Sequence, residues 1–467
     1  MTFDYFILLK AELQICLLIF LLLLLKLART IPNEKLLPII QLLLLANFAG
    51  GFFYNQSGDL FDGMFTSNTL IHLQKHLLNL AVYLISLLFS GWFSRSLHLT
   101  EFFVLMLSAL LGMFFLLSSG NLLIFYLSLE LATIPIAAMA NFDMTRKRSA
   151  EAAMKLILSA AFSSGILLFG ISLIYGTTGS IRFPEIPLLL DGIAVQVMAF
   201  VFLVTAFAFK LSIVPFHLWT ADVYEGSPAS VTAFLSVVSK GVIAFAFLTF
   251  LYKVFQPFNS LWYHILMLLS ILTIVAGNLF ALRQMDMKRF LAFSSITQVG
   301  FILVAMMGKS SQSITAITYF VLIYVFSNLA AFGVMAIVAE HTGNENRNAL
   351  KGLYKSNPFL SWVLALAMFS LAGIPPTAGF FGKLFLITAG ASTASYGFII
   401  FVALNLVVSL YYYLLVVKNI FMDDADEQQG EIPLSAAVKL GLILCTAGIL
   451  LTGLFSWVYD YIATQVM

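Results

Sequence analysis

Charge is the scarcest commodity in this sequence. Only 10% of its 467 residues are Asp, Glu, Lys or Arg, against about 25% in soluble domains. Hydrophobic residues make up 61%. That much apolar surface cannot hide in one core, so lipid must be its solvent. Cysteine is nearly missing as well. Cys16 and Cys445 lie singly in apolar runs, with no Cys-x-x-Cys, which excludes a cysteine-ligated iron–sulfur cluster or zinc site. No GxGxxG or P-loop pattern is present, so nucleotide is not bound by those devices. A net charge of +2 with no basic, aromatic-interleaved patch gives no footing for nucleic acid. His72 and His76 stand four apart beside Lys75, but they sit at a span end, and a metal pair is the weaker reading. No cofactor is expected in this chain.

What is there is a series of long apolar runs. The first, 5–27, is long enough to span and to remain in place. A spanning helix needs about 20 apolar residues. On that measure the chain divides into fourteen candidates: 4–27, 36–54, 73–93, 102–118, 121–141, 150–175, 193–218, 228–252, 261–282, 288–307, 312–340, 358–389, 396–421 and 434–461. The basic residues test this division, because loops on the cytoplasmic side collect Lys and Arg. Alternate loops, from Lys26 and Arg29 to Lys418 and Lys439, hold fifteen of the 24. The opposite loops hold only Arg182, Lys253 and Lys309. The pattern places both termini on the outer side. One loop breaks it, carrying Asp222 and Glu225 with no basic residue. The longest polar stretch, Met422 to Pro433, reads as a solvated loop. The whole is one polytopic all-α membrane domain, 1–467.

The remaining basic residues fall inside spans, where an ionisable group is a functional hypothesis by default. Lys10, Glu12 and Lys75 lie near span ends, and snorkelling to the interface is the expectation for them. Lys155 begins the sixth span, where snorkelling and function are balanced. Glu130, Lys210 and Lys240 are central and cannot easily reach an interface. A buried charge survives only if paired, hydrated or neutralised by losing its proton. A static Glu–Lys pair is the alternative, but one acid does not serve several lysines. Pro215 breaks the seventh span five residues after Lys210, and Gly373, Pro375 and Pro376 break the twelfth before Lys383. Irregular backbone at membrane depth is tolerated where it is buried in protein or lines a wet cavity. Two such breaks, five helices apart, suggest two structural repeats of inverted topology. The expected organisation is an N-terminal trio in 1–100, a first repeat of helices four to eight in 101–252, a second of nine to thirteen in 261–421, and a last helix in 434–461.

FKLSIVPFHLWTADVYEGSPASVTAFLSVVSK, Phe209 to Lys240, resembles the central motif of the antiporter-like subunits of respiratory complex I. YLSLELATIPI, SAEAAMK, GNLFALRQMDMKRFLAFSSITQVGFILVA and LKGLYKSNPFLSWVLALAMFSLAGIPPTAGFFGKLFL are similar to the same family, SAEAAMK to its subunit N type. The matches cover roughly Asn121 to Leu386. The resemblance implies proton translocation in NADH:quinone oxidoreductase, through Glu130, Lys210, Lys240 and Lys383, with Lys155, His217 and Gln298 as possible relays. It implies flavin, iron–sulfur clusters and quinone in partner subunits only. The partners would be other membrane subunits, in a bacterial inner membrane. The family also includes subunits of multisubunit cation/proton antiporters and membrane-bound hydrogenases, which stay open as alternatives. Two places depart from the family pattern. Ala221 stands where a proline is usual. Phe293 and Gln298 stand where Tyr and His are usual, and Gln298 cannot titrate near neutral pH.

Overall fold

Apolar runs bounded by short polar caps become helices. The computed structural model describes residues 2–28, 31–53, 55–423 and 430–466. Arg29 and the acidic run of the 422–433 loop, residues 424–429, lie outside the described residues. Asn68, Asn121 and Asp286 each accept a hydrogen bond from the backbone N–H three residues on, which satisfies a donor left free at a helix start. Among the described residues, eleven helices are long and apolar enough to cross a membrane. The protein is a multi-pass α-helical bundle. Several expected spans are divided. The first is Thr2–Leu8 followed by Lys10–Ala28, the third Thr69–Leu88 followed by Ser90–Arg95. The last ends at Leu454 and a separate helix, Trp457–Val466, follows.

One element was not expected in an all-α chain. Gly58–Leu60 pairs antiparallel with Phe65–Ser67 in a small hairpin. Its turn uses positive φ at Phe61, Asp62 and Gly63.

The loops separate cleanly by end. At one end Arg95 pairs with Glu340, Arg146 with Glu345 at 3.9 Å, Lys288 with Glu345 at 2.9 Å and Arg148 with Glu225 at 3.1 Å. At the other end Arg182 pairs with Asp62, Phe183 N–H donates to Gly120 O, and the Thr69 hydroxyl donates to Gln465 O. The acids that broke the charge pattern are thereby explained. Asp222 and Glu225 are neutralised by basic residues of neighbouring elements, Lys155 at 2.6 Å from Asp222 and Arg289 at 2.9 and 2.7 Å from the two acids.

The expectation that Lys75 and Glu12 reach the interface is wrong. Both are 2% exposed, and they pair with each other at 2.5 Å. Their helices, Lys10–Ala28 and Thr69–Leu88, pack around the end of Leu99–Leu117, and Ser118 closes the pair from that side at 2.7 Å. Lys10 does behave as expected, donating to Phe53 O and to Asn55 Oδ1 at the rim.

Candidate functional site

Both expected breaks are present, and they are built alike. Ala194–Leu211 ends at Ser212, which takes φ +63, and Leu218–Gly226 resumes the run. Pro358–Ala372 ends at Gly373, φ +86, and Ala378–Ala391 follows. In each break the isoleucine after the left-handed residue donates back five residues, Ile213 to Ala208 O and Ile374 to Phe369 O. The freed backbone groups find partners, as they must away from water. Val214 N–H donates to Thr273 Oγ1, Trp219 Nε1–H to Phe209 O, and the Thr220 hydroxyl to Ser212 Oγ. At the second break Lys383 supplies the donors itself, reaching Leu371 O at 2.6 Å and Ala372 O at 3.1 Å. A cation over the last carbonyls of a helix is favourably placed.

Lys210 sits in the last turn before the first break. Its ammonium donates to Thr133 Oγ1 at 2.8 Å, while Glu130 accepts from the Ser164 hydroxyl. Among the described residues no ion pair is seen between Glu130 and Lys210; each bonds to a neutral hydroxyl instead. Lys210 and Thr133 line a cavity of about 30 Å³ with Met113, Leu116 and Ser239, room for a water or two.

Ser239 and Lys240 are neighbours on Ala229–Val254, yet they line different cavities. A π-turn at Leu235–Ser239 precedes Lys240, and such turns re-aim side chains within a helix. Lys240 is 5% exposed, donates to Ser295 Oγ at 2.7 Å and lies 5.5 Å from the Tyr224 ring. It lines a second cavity of about 20 Å³ with Ser295, Gln298 and Tyr324. Gln298 leaves this cavity towards the second break, donating to Tyr413 OH at 3.0 Å and to Leu371 O at 3.3 Å. Lys383 donates to that same carbonyl. Lys240 and Gln298 thus share a cavity, and Gln298 and Lys383 share the Leu371 carbonyl, while Lys210 meets this series only through Ser239, the chain neighbour of Lys240 that lines its cavity.

The other candidates lie elsewhere. Lys155 belongs to the ion network at one end, between Glu151 at 2.7 Å and Asp222 at 2.6 Å, and is partly exposed. His217 precedes Leu218–Gly226, tilted against Phe280, and neither ring nitrogen has a hydrogen-bond partner. It lines neither cavity. Pro215, Pro375 and Pro376 lie on the exposed side of their breaks. Sequence reasoning missed Thr133, Ser164, Ser295 and Tyr413, since hydroxyl residues in spans carry no signal until their partners are known. Among the described residues no group of three or more His, Cys, Asp or Glu side chains could hold a metal.

The sequence model of the family described as NADH:quinone oxidoreductase/Mrp antiporter, TM matches residues 119–409. NADH-quinone oxidoreductase subunit N of Phocaeicola vulgatus is 45% identical over 92% of this chain and 91% of its own length. The chain belongs to the subunit N branch of that family. Its fold superposes with a chain of respiratory complex I from Thermus thermophilus with a TM-score of 0.81, at 28% identity, covering 95% of this chain and 97% of that one. A chain of the Mrp complex from Dietzia sp. gives a TM-score of 0.86 at 18% identity, covering 100% of this chain and 97% of that one, a likeness of fold alone. The Lys210, Lys240 and Lys383 line lies wholly within the matched residues. Glu12 and Lys75 lie outside them.

Proposed function

We propose that Glu130, Lys210, Lys240 and Lys383 are the proton stations of this chain. The chain is a membrane-arm subunit of a proton-translocating NADH:quinone oxidoreductase, complex I. Redox chemistry takes place in partner subunits, and this chain moves protons through the bilayer. One observation carries the residue-level reading. Lys240 and Lys383 are buried, with hydroxyl, carbonyl and aromatic partners and, among the described residues, no carboxylate. A buried lysine without a counter-charge is poised to exchange its proton.

Glu130 sets the first step. When it approaches Lys210 the ammonium is favoured, and when it turns to Ser164 that support is lost. The proton then leaves through the cavity towards Ser239 and Lys240, and on past Gln298 to Lys383. Cavities of this size hold single waters, so the path is a chain of short transfers.

The finer topology belongs to the same reading. Fourteen spans result when Lys10–Ala28, Asn33–Gly50 and the divided twelfth helix join the eleven. The two like-built breaks support inverted repeats in 101–252 and 261–421, flanked by the N-terminal trio in 1–100 and the helix in 434–461. The basic end would face the cytoplasm of a bacterial inner membrane, and both termini the outside. Neighbouring antiporter-like and small membrane subunits would cover part of the surface, lipid the rest.

The test uses Glu130→Ala and Lys210→Ala in the whole complex, reconstituted into vesicles. Assembly with loss of proton uptake is expected. Normal pumping by both variants would overturn the assignment. The antiporter alternative has a family model shared with quinone oxidoreductases and a solved Mrp chain at 18% identity, whereas the subunit N relative is 45% identical over 92% of this chain.

A further inference from the structure

We infer that Glu12 and Lys75 form a further proton-exchange site, in the N-terminal helices and separate from the Lys210 to Lys383 line. The inference rests on the reading of this chain as a proton carrier.

The pair is built from three elements. Glu12 stands on Lys10–Ala28, Lys75 on Thr69–Leu88, and Ser118 just past Leu99–Leu117. Lys75 Nζ donates to Glu12 Oε1 at 2.5 Å and to Ser118 Oγ at 2.7 Å. Its remaining face lies against the Phe65 and Phe114 rings, 5.2 and 5.8 Å from their centroids. The ammonium is thus fully partnered, but the carboxylate is not. Glu12 Oε2 is buried and has no hydrogen-bond partner. An anionic oxygen left so is costly, and a proton placed on it removes that oxygen's charge while the Lys75 ammonium keeps its own, held by Ser118 and the two rings. A purely structural role explains this poorly, because a buried ion pair gives little net stability over apolar packing.

Neighbours of the pair on its own two helices reach an exposed loop. His72, one turn before Lys75, contacts Gln56 O at 3.0 Å and Ser67 Oγ at 3.1 Å. Asn55 and Gln56 are exposed, and Lys10, two residues before Glu12, bonds to Asn55. His76 stacks on Phe52 at 4.7 Å. Lys10, His72 and His76 are the other titratable groups of the packed elements near the pair, with Cys16 one turn along from Glu12. On the inward side, the helix that presents Phe114 to Lys75 presents Met113 and Leu116 to the Lys210 cavity.

Loading adds one proton at Glu12 Oε2. An O–H bond forms there, Oε1 keeps its bond from Lys75, and the pair passes from neutral to a charge of one. Unloading reverses the step, and the proton exchanges with water at the rim. No redox partner is needed.

The test compares Glu12→Gln, Lys75→Met and the double variant in the intact complex, reconstituted into vesicles and driven by NADH. The double variant removes both charges, so it leaves no unpaired ion behind. It is expected to assemble and to move fewer protons per NADH oxidised than the native complex. Infrared difference spectra of the native complex during turnover are expected to hold a protonated-carboxyl band that Glu12→Gln loses. Equal proton yield with an unchanged band, or failure of the double variant to assemble, would overturn the inference. Failure of the native complex to move protons would instead remove the reading on which it rests.

Discussion

At the residue scale, the proposed function turns on where a lysine finds its partner. Lys240 has Ser295 and the Tyr224 ring, not an acid. Gln298 connects it towards Lys383 by an amide that cannot hold a proton at neutral pH. Gln298→Leu removes the bonds to Leu371 O and Tyr413, and proton uptake is expected to drop by about tenfold, equivalent to about 1.4 kcal/mol on the barrier. Gln298→His is expected to keep pumping and to give the rate a pH dependence that the native complex lacks. Vesicle proton uptake across pH checks both. The lysines were legible in the sequence because a charge in an apolar run stands out. Their hydroxyl partners were not, since Thr133 and Ser295 resemble any other hydroxyl in a span. Lys75 was misread for a related reason. It lies near a span end, and its partner Glu12 is 63 residues away, so only the fold could reveal the pairing.

At the scale of the element, the two breaks and the helix starts make the clearest demands. Gly373 holds φ +86, and a Cβ there would come within 3.1 Å of Lys383 Cδ. Gly373→Ala therefore combines left-handed strain of about 1–2 kcal/mol with a displaced lysine, and both stability and pumping are expected to fall. Ser212 has the same backbone conformation without glycine. Ser212→Gly relieves that strain but loses the bond from Thr220, so a much smaller change is expected in residual activity after heating.

Asp286 offers a test outside the spans. Burial, with Glu345 and Glu225 nearby, holds its carboxyl above the usual range, partly offset by the bond from Arg289 N–H. A raised carboxyl favours the folded state while protonated, so its contribution declines as pH rises through the folded value. Asp286→Asn keeps an N-cap and removes the charge, whereas Asp286→Ala loses the cap at about 1 kcal/mol. The expected order of heat resistance of the assembled complex at neutral pH is Asn at or above native, and Ala below. The breaks themselves were legible from Pro215, Pro375 and Pro376. The π-turn before Lys240 was not, because no residue type marks it.

Across the whole molecule, charge asymmetry and packing agree on the ends. Loops expected to share a side meet in ion pairs such as Lys288–Glu345 and Arg148–Glu225. The hairpin, Arg182 and Gln465 gather at the opposite end. A single cysteine at Ser57 should therefore react with a membrane-impermeant thiol reagent from outside intact cells, and one at Asn344 only after the membrane is opened. The reverse pattern would invert the topology. The bundle was legible at this scale because hydropathy and basic loops are additive along the chain. The hairpin was not, since six short-strand residues carry too little pattern.

The most direct measurement is the number of protons moved per NADH oxidised by the reconstituted complex carrying Lys240→Met. This substitution keeps the side chain's bulk and removes its exchangeable proton. If Lys240 is a station, the complex assembles and its proton yield drops well below the native value. A native yield from the assembled variant would contradict a route through Lys240.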